Sequence, residues 1–121
     1  ATFESTIHKD VFVIGDSCIA GKMPKSGYAA NSQGKVAAAV IAARVNGKKA
    51  PEPSYVNTCY SLITPHHGIS VAAVYHLEDG NIVGVKGAGG VSPMDASKAD
   101  REAEATYALS WFKNVTTDMF G

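Results

Sequence analysis

The feature that most constrains the fold is a change of hydrophobic period near the middle of the chain, at Lys48-Lys49-Ala50-Pro51-Glu52-Pro53. Before it, the alanine-rich stretch Tyr28–Asn46 has the composition of a helix, with Val36, Val40 and Ile41 on one side. Asn46-Gly47 is a good C-terminal stop. After the proline-containing linker the period becomes two. Tyr55–Thr64, Ile69–Leu77 and Asn81–Lys86 read as strands, joined by Pro65-His66-His67-Gly68 and by a turn at Asp79-Gly80. The glycine-rich run Gly87–Gly90 then leads into a last helix beginning near Ser97, where Asp100 completes a capping box. Ala99, Ala103, Tyr107, Trp111, Val115 and Met119 recur every four residues, and Leu109 and Phe112 widen that face. A strand at Val11–Ile14 precedes the first helix. The fold class is α+β: a strand and helix, a three-stranded antiparallel meander, and a C-terminal helix. The linker divides residues 1–50 from residues 51–121.

Composition removes several classes of function. Eleven basic residues balance eleven acidic ones, so nothing electrostatic favours nucleic acid or an anionic membrane as the main partner. No apolar run is long enough to cross a bilayer. The first six residues lack the basic start and apolar stretch of a signal peptide. Two cysteines, Cys18 and Cys59, are too few for a disulfide scaffold. They could pair together, remain free, or pair outside this chain.

The strand Val11–Ile14 breaks at Gly15 and presents the carboxylate of Asp16. Met23-Pro24-Lys25-Ser26-Gly27 follows, directly before the first helix. This arrangement suits the ribityl end of FAD. A carboxylate accepts from a ribityl hydroxyl, and the helix N-terminus offers N–H groups and a positive dipole end to the electron-rich edge of the ring. Lys25 is placed to stabilise negative charge developing on that edge upon reduction. Yet no Gly-x-Gly-x-x-Gly occurs between a strand and a helix. Gly87-Ala88-Gly89-Gly90 comes closest, but Ser92-Pro93 stands where the third glycine and the helix should be. The chain carries half a site.

Cys59 is the other candidate. In an extended strand Tyr55, Asn57, Cys59 and Ser61 share one face, while Val56, Tyr60 and Leu62 share the opposite, expected core face. A thiol on the more polar face has a use beyond filling space. Cys18, directly after Gly-Asp-Ser, reads as a small residue packed under the turn. His66 and His67 are adjacent and lack the spaced partners of a metal site. Trp111 lies on the apolar stripe of the last helix.

The run from Val13-Ile14-Gly15-Asp16-Ser17-Cys18 through Met23-Pro24-Lys25-Ser26-Gly27 to Gln33 resembles the flavoprotein subunit of flavocytochrome c sulfide dehydrogenase. So do Pro53-Ser54-Tyr55-Val56-Asn57-Thr58-Cys59-Tyr60-Ser61-Leu62 and Gly68–Tyr75. The likeness corresponds to the last part of such a subunit. It implies a fragment of a glutathione-reductase-like flavoprotein, with residues 1–50 ending the FAD-binding domain and residues 51–121 covering the flavin. It implies FAD as cofactor, sulfide as substrate, a redox-active cysteine pair that includes Cys59, and Trp111 near the active site. It implies a c-type cytochrome partner carrying haem, and the periplasm. By the same resemblance Gly15, Asp16, Lys25, Ser26 and Gly27 bind the cofactor, while the glycine-rich domain and the second cysteine lie N-terminal to Ala1.

Two rival readings stand beside it. A sulfide:quinone oxidoreductase shares the Gly-Asp and Pro-Lys-Ser-Gly elements, but Lys98, Asp100, Arg101, Glu102 and Glu104 open the last helix and argue against bilayer insertion. A non-catalytic module that dimerises or docks a cytochrome is the third. The isolated chain is expected to dimerise through exposed strand edges.

Overall fold

The computed structural model describes all 121 residues. A short 3-10 turn at Gly15–Ser17 precedes α1 (Gly27–Val45). Then come β1 (Tyr55–Thr64), β2 (His67–Glu78), β3 (Asn81–Val91) and α2 (Lys98–Phe120). The sheet order is β1-β2-β3, so each strand pairs with its neighbour in sequence and the α+β meander forms. No helix is long and apolar enough to cross a membrane. The chain forms two compact units, Ala1–Asn57 with Ala73–Ala88, and Thr58–Ala72 with Gly89–Gly121.

In the first unit, α1 starts where Ser26 caps it, its hydroxyl accepting from Ala29 N–H at 3.0 Å. The helix buries Ala29, Gln33, Ala37 and Val40, positions four, four and three apart. Ile41, expected beside Val40, is instead exposed, because one residue's turn of 100° carries it off this narrow stripe. The core joins Ala29 to Phe3, Met23, Tyr55, Tyr75 and Ile82. Tyr55 is wholly buried, and its ring meets Phe3 edge-on at 5.7 Å.

The expected strand at Val11–Ile14 is reduced to a single antiparallel bridge between Glu4 and Phe12. Ser5 N–H donates to Val11 C=O and Val13 N–H to Phe3 C=O, at 2.7 and 2.8 Å. No further strand flanks this ribbon, so Val11 and Ile14 stay exposed despite their apolar run. Arg44, from the last turn of α1, clamps it instead. Its guanidinium donates to both carboxylate oxygens of Glu4 at 3.0 and 2.7 Å and to Asp10 at 2.7 Å, and lies over the Phe12 ring. Arg44 holds the Glu4 carboxyl well below its usual range, down to about 2.

In the second unit, α2 opens with the expected capping box: Asp100 N–H donates to the Ser97 hydroxyl while the Asp100 carboxylate accepts from Ser97 N–H. Its buried face, however, is Arg101, Ala105, Ala108 and Val115, with Trp111 half-buried beside it. Tyr107, Leu109, Phe112 and Met119 are exposed, contrary to the four-residue repeat read from the sequence. A strict repeat of four drifts around a helix of 3.6 residues per turn, so a contact face must alternate steps of three and four. Size settles the phase as well. Gly68 on β2 lies so close to α2 that a Cβ there would stand 2.4 Å from the Ala105 nitrogen, and only small residues fit opposite. The turn before β2 is also shorter than expected, since His67 and Gly68 already belong to the strand.

β3 runs through the glycines to Val91, where a connection was expected. Ladder bonds use the backbone alone, and the strand end is fixed by serines. Ser92 N–H donates to Ser70 C=O at 3.0 Å, Ser70 N–H donates to the Ser92 hydroxyl at 2.6 Å, and that hydroxyl donates to the Glu104 carboxylate at 2.7 Å.

Candidate functional site

In the first unit the 3-10 turn brings together most of the residues singled out by sequence. Gly15 has φ +70°, a left-handed conformation natural to glycine. Its N–H donates to the side-chain oxygen of Gln33 at 2.7 Å, and the Cys18 thiol donates to the same oxygen at 3.4 Å and to Gly15 C=O at 3.2 Å. Burial pushes the Cys18 thiol above its ordinary pKa, so it stays protonated and donates. Cys18 therefore packs under the turn, as expected. The Asp16 side chain is exposed, and Lys25 Nζ donates to its backbone carbonyl at 2.5 Å. Across the same loop Ser26 donates to the buried Asn57 side chain at 2.5 Å while capping α1. Ser26 thus spends its hydroxyl on the helix, and Gly27 is the first helical residue.

Two residues essential to this geometry, Gln33 and Asn57, are not marked as site residues by the sequence. Both are buried polar groups, 2% and 3% exposed. Gln33 had one available signal, since it shares the spacing of Ala29, Ala37 and Val40 on the face of α1 that packs. A glutamine there must meet a polar partner, and the nearest break in regular structure is Gly15.

The recess beside the turn has a volume of about 130 Å³, with Gly15, Gly21, Pro24 and Lys25 on its wall. Sites for whole cofactors usually occupy roughly 300–1,000 Å³. The recess is smaller than that, and Lys25 lines it while Asp16 does not.

In the second unit Cys59 is exposed, and neither cysteine is in a disulfide. The core face at the start of β1 is Tyr55 and Asn57, not the Val56 side that was expected. The packing of Tyr55 and the Ser26–Asn57 bond account for the reversal. Further along β1, Tyr60 lies with its ring 6.3 Å from that of Trp111, and alternation turns Cys59 to the opposite face. Trp111 is thus held by aromatic packing. No group of three or more His, Cys, Asp or Glu stands together as a metal site.

A small α+β chain with these features finds its class by comparison with known families: it is a flavin-binding module, matched over residues 51–120. The family is described as flavocytochrome c sulphide dehydrogenase, flavin-binding, and the chain belongs to it. The cofactor of that family is FAD, and its name carries a haem-bearing cytochrome c as well. The match begins within the linker and contains Cys59 and Trp111.

Proposed function

We propose that this chain is the flavin-covering part of a FAD-dependent sulfide dehydrogenase, with residues 51–121 over the flavin and residues 1–50 closing its FAD-binding domain. What supports the reading is one juxtaposition: an exposed cysteine outside any disulfide, Cys59, inside the segment that carries the family match. Cys59 forms the redox pair with a second cysteine of the complete enzyme. Hydrosulfide attacks the Cys59 sulfur of their disulfide. A new S–S bond forms at Cys59 as the old one breaks, and the second cysteine leaves as a thiolate with the electron pair. A bound FAD would supply the two-electron oxidant that lets this thiolate bond the outer sulfur of the Cys59 persulfide. The persulfide proton and two electrons leave to the flavin, and c-type haem on a cytochrome partner would take the electrons onward. Asp16 accepts from a ribityl hydroxyl, with Gly15 allowing close approach. Lys25, held at the turn by the Asp16 carbonyl, offsets negative charge that builds on the pyrimidine edge. Ser26 and Gly27 set the N-terminus of α1 toward it. Trp111, packed on Tyr60 across β1 from Cys59, steadies the strand that carries the reacting sulfur, and the enzyme works in the periplasm.

The test is Cys59→Ser in the complete enzyme. Sulfide-dependent cytochrome reduction falls to background while flavin content stays unchanged, because a hydroxyl cannot exchange sulfur. Wild-type turnover would refute the role of Cys59. Reduction of quinone by sulfide, without reduction of haem, would move the assignment to a sulfide:quinone oxidoreductase.

The isolated chain self-associates. β1 and β3 both end the three-stranded sheet, and Phe112, Met119 and Phe120 stand exposed on α2. Size-exclusion chromatography with light scattering gives twice the mass of one chain. A monomer at all concentrations contradicts this.

A further inference from the structure

We propose that Arg44 is a positioning residue for the Gly15–Asp16 turn: from the far end of α1 it sets how the chain entering that turn lies along the helix. Its bearing on function rests on the reading that this turn takes the ribityl end of FAD. All the residues concerned belong to the first unit. The chain from Phe12 to Gly15 runs along α1 against the helix direction, and its contacts fall in order. Phe12 lies under the Arg44 guanidinium, with the ring centre 5.7 Å away. The Ile14 Cδ1 atom comes 3.4 Å from where a Cβ would stand on Gly34, and a Cβ on Gly15 would stand 3.5 Å from that of Ala30. Gly15 N–H then donates to Gln33 at 2.7 Å.

The segment therefore has two mounts on α1, Gln33 and Arg44, about 16 Å of helix apart. Little else holds it. The ribbon pairs through a single bridge, and its first strand is the one anchored in the core, by Phe3. Arg44 ties the second strand to the first and both to the helix. Its Nη1 donates to Glu4 Oε1 at 3.0 Å and to Asp10 Oδ1 at 2.7 Å, and its Nη2 donates to Glu4 Oε2 at 2.7 Å. Glu4 Oε1 also accepts from Asp10 N–H at 2.8 Å, so Asp10, left-handed at φ +63°, is held by both its N–H and its carboxylate. A lone surface ion pair contributes little. A fork onto one carboxylate, shared with a second carboxylate and a ring, is a network with one geometry. An ammonium has no fork and cannot reproduce it.

The consequence falls on Asp16. Its side chain is exposed, so its direction is inherited from the backbone of the turn. A strand held only at Gly15 can tilt there, and the tilt turns the peptide planes that lead into Asp16. A shift of about 1 Å in a binding group is enough to weaken a ligand, even when the change that causes it lies far away. A clamp that merely adds stability would leave the turn in place when removed. A positioning residue would not.

The experiment compares Arg44→Met, Arg44→Lys and Glu4→Gln. In the 121-residue chain, NMR follows the Gly15 and Asp16 backbone amides and the Gln33 side-chain amide. Arg44→Met should move all three signals. Arg44→Lys and Glu4→Gln should move them part of the way along the same line. Lys48→Gln takes a charge from the same end of α1 and should leave them in place. If Arg44→Met does not fold, the other two variants decide by the same signals. In the complete enzyme Arg44→Met should weaken FAD roughly fivefold, with partial recovery in Arg44→Lys. Asp16→Ala should then cost less in the Arg44→Met background than in the parent, because the two act through one turn. Signals unmoved by Arg44→Met, or moved equally by Lys48→Gln, would overturn the proposal. So would undiminished FAD binding by Arg44→Met where Asp16→Ala binds weakly. Moved signals with FAD binding that neither variant alters would leave the positioning intact and refute the flavin reading of the turn.

Discussion

The Gly15–Asp16 turn and the Cys59 strand carry the two halves of the proposed chemistry, and they are built in opposite ways. The turn is held from below. Gln33, Cys18 and the left-handed Gly15 fix its shape before any ligand arrives. Cys59 stands on the exposed part of β1, outside any disulfide. The lesson concerns separability. At the turn, stability and the proposed binding share the same atoms, whereas Cys59 lies at an exposed position, where a substitution costs the fold little.

That contrast can be broken by experiment, and Gln33→Ala is the largest effect expected within this chain. It removes a buried side chain and leaves the Gly15 N–H without its acceptor, costing about 2–4 kcal/mol of folding stability. Urea unfolding measures it, and Cys59→Ser in the same assay should differ from the parent by less than about 0.5 kcal/mol. Equal losses for the two variants would erase the distinction. Asp16→Ala comes next. In the complete enzyme it should weaken FAD by about 1.5–3 kcal/mol through loss of a charge-assisted hydrogen bond. Because the Asp16 side chain is exposed, the melting temperature of the apo chain should hardly move. Unchanged flavin affinity would remove Asp16 from the site. The mildest test is alkylation. Iodoacetamide should label exposed Cys59 well before Cys18, whose thiol is half-buried, hydrogen-bonded and raised in pKa by burial. Mass mapping that finds Cys18 modified first would contradict the packing described.

Much of this architecture could be read from the sequence, and the failures share one cause. The helices, the meander, the Asp79-Gly80 turn and the Ser97–Asp100 box follow from local rules about period, turn and cap. The phase of a helix does not, because it depends on what lies opposite. Glycine at position 68 demands small residues on α2, so Ala105 and Ala108 turn inward and Tyr107 turns out. The same holds at the site. Gly15, Asp16 and Lys25 announce themselves through a strand-end motif, but Gln33 is one polar residue in an alanine-rich helix. Its meaning appears only when the chain folds back on Gly15, eighteen positions away. Likewise the glycines of β3 look like a loop until Ser70 and Ser92 are seen to tie the strand end.

The close approach of Gly68 to α2 has a consequence for how this module can diverge. The atoms that a Cβ at this position would strike are the Ala105 nitrogen and the Glu104 carbonyl carbon, both main chain. A clash between two side chains can be relieved by shrinking either one, so the pair can drift together. A clash with main chain offers no second site to shrink. The spacing between β2 and α2 within their unit is therefore a fixed gauge. Descendants of this sequence can exchange the face of α2 residue by residue, but they must inherit the glycine.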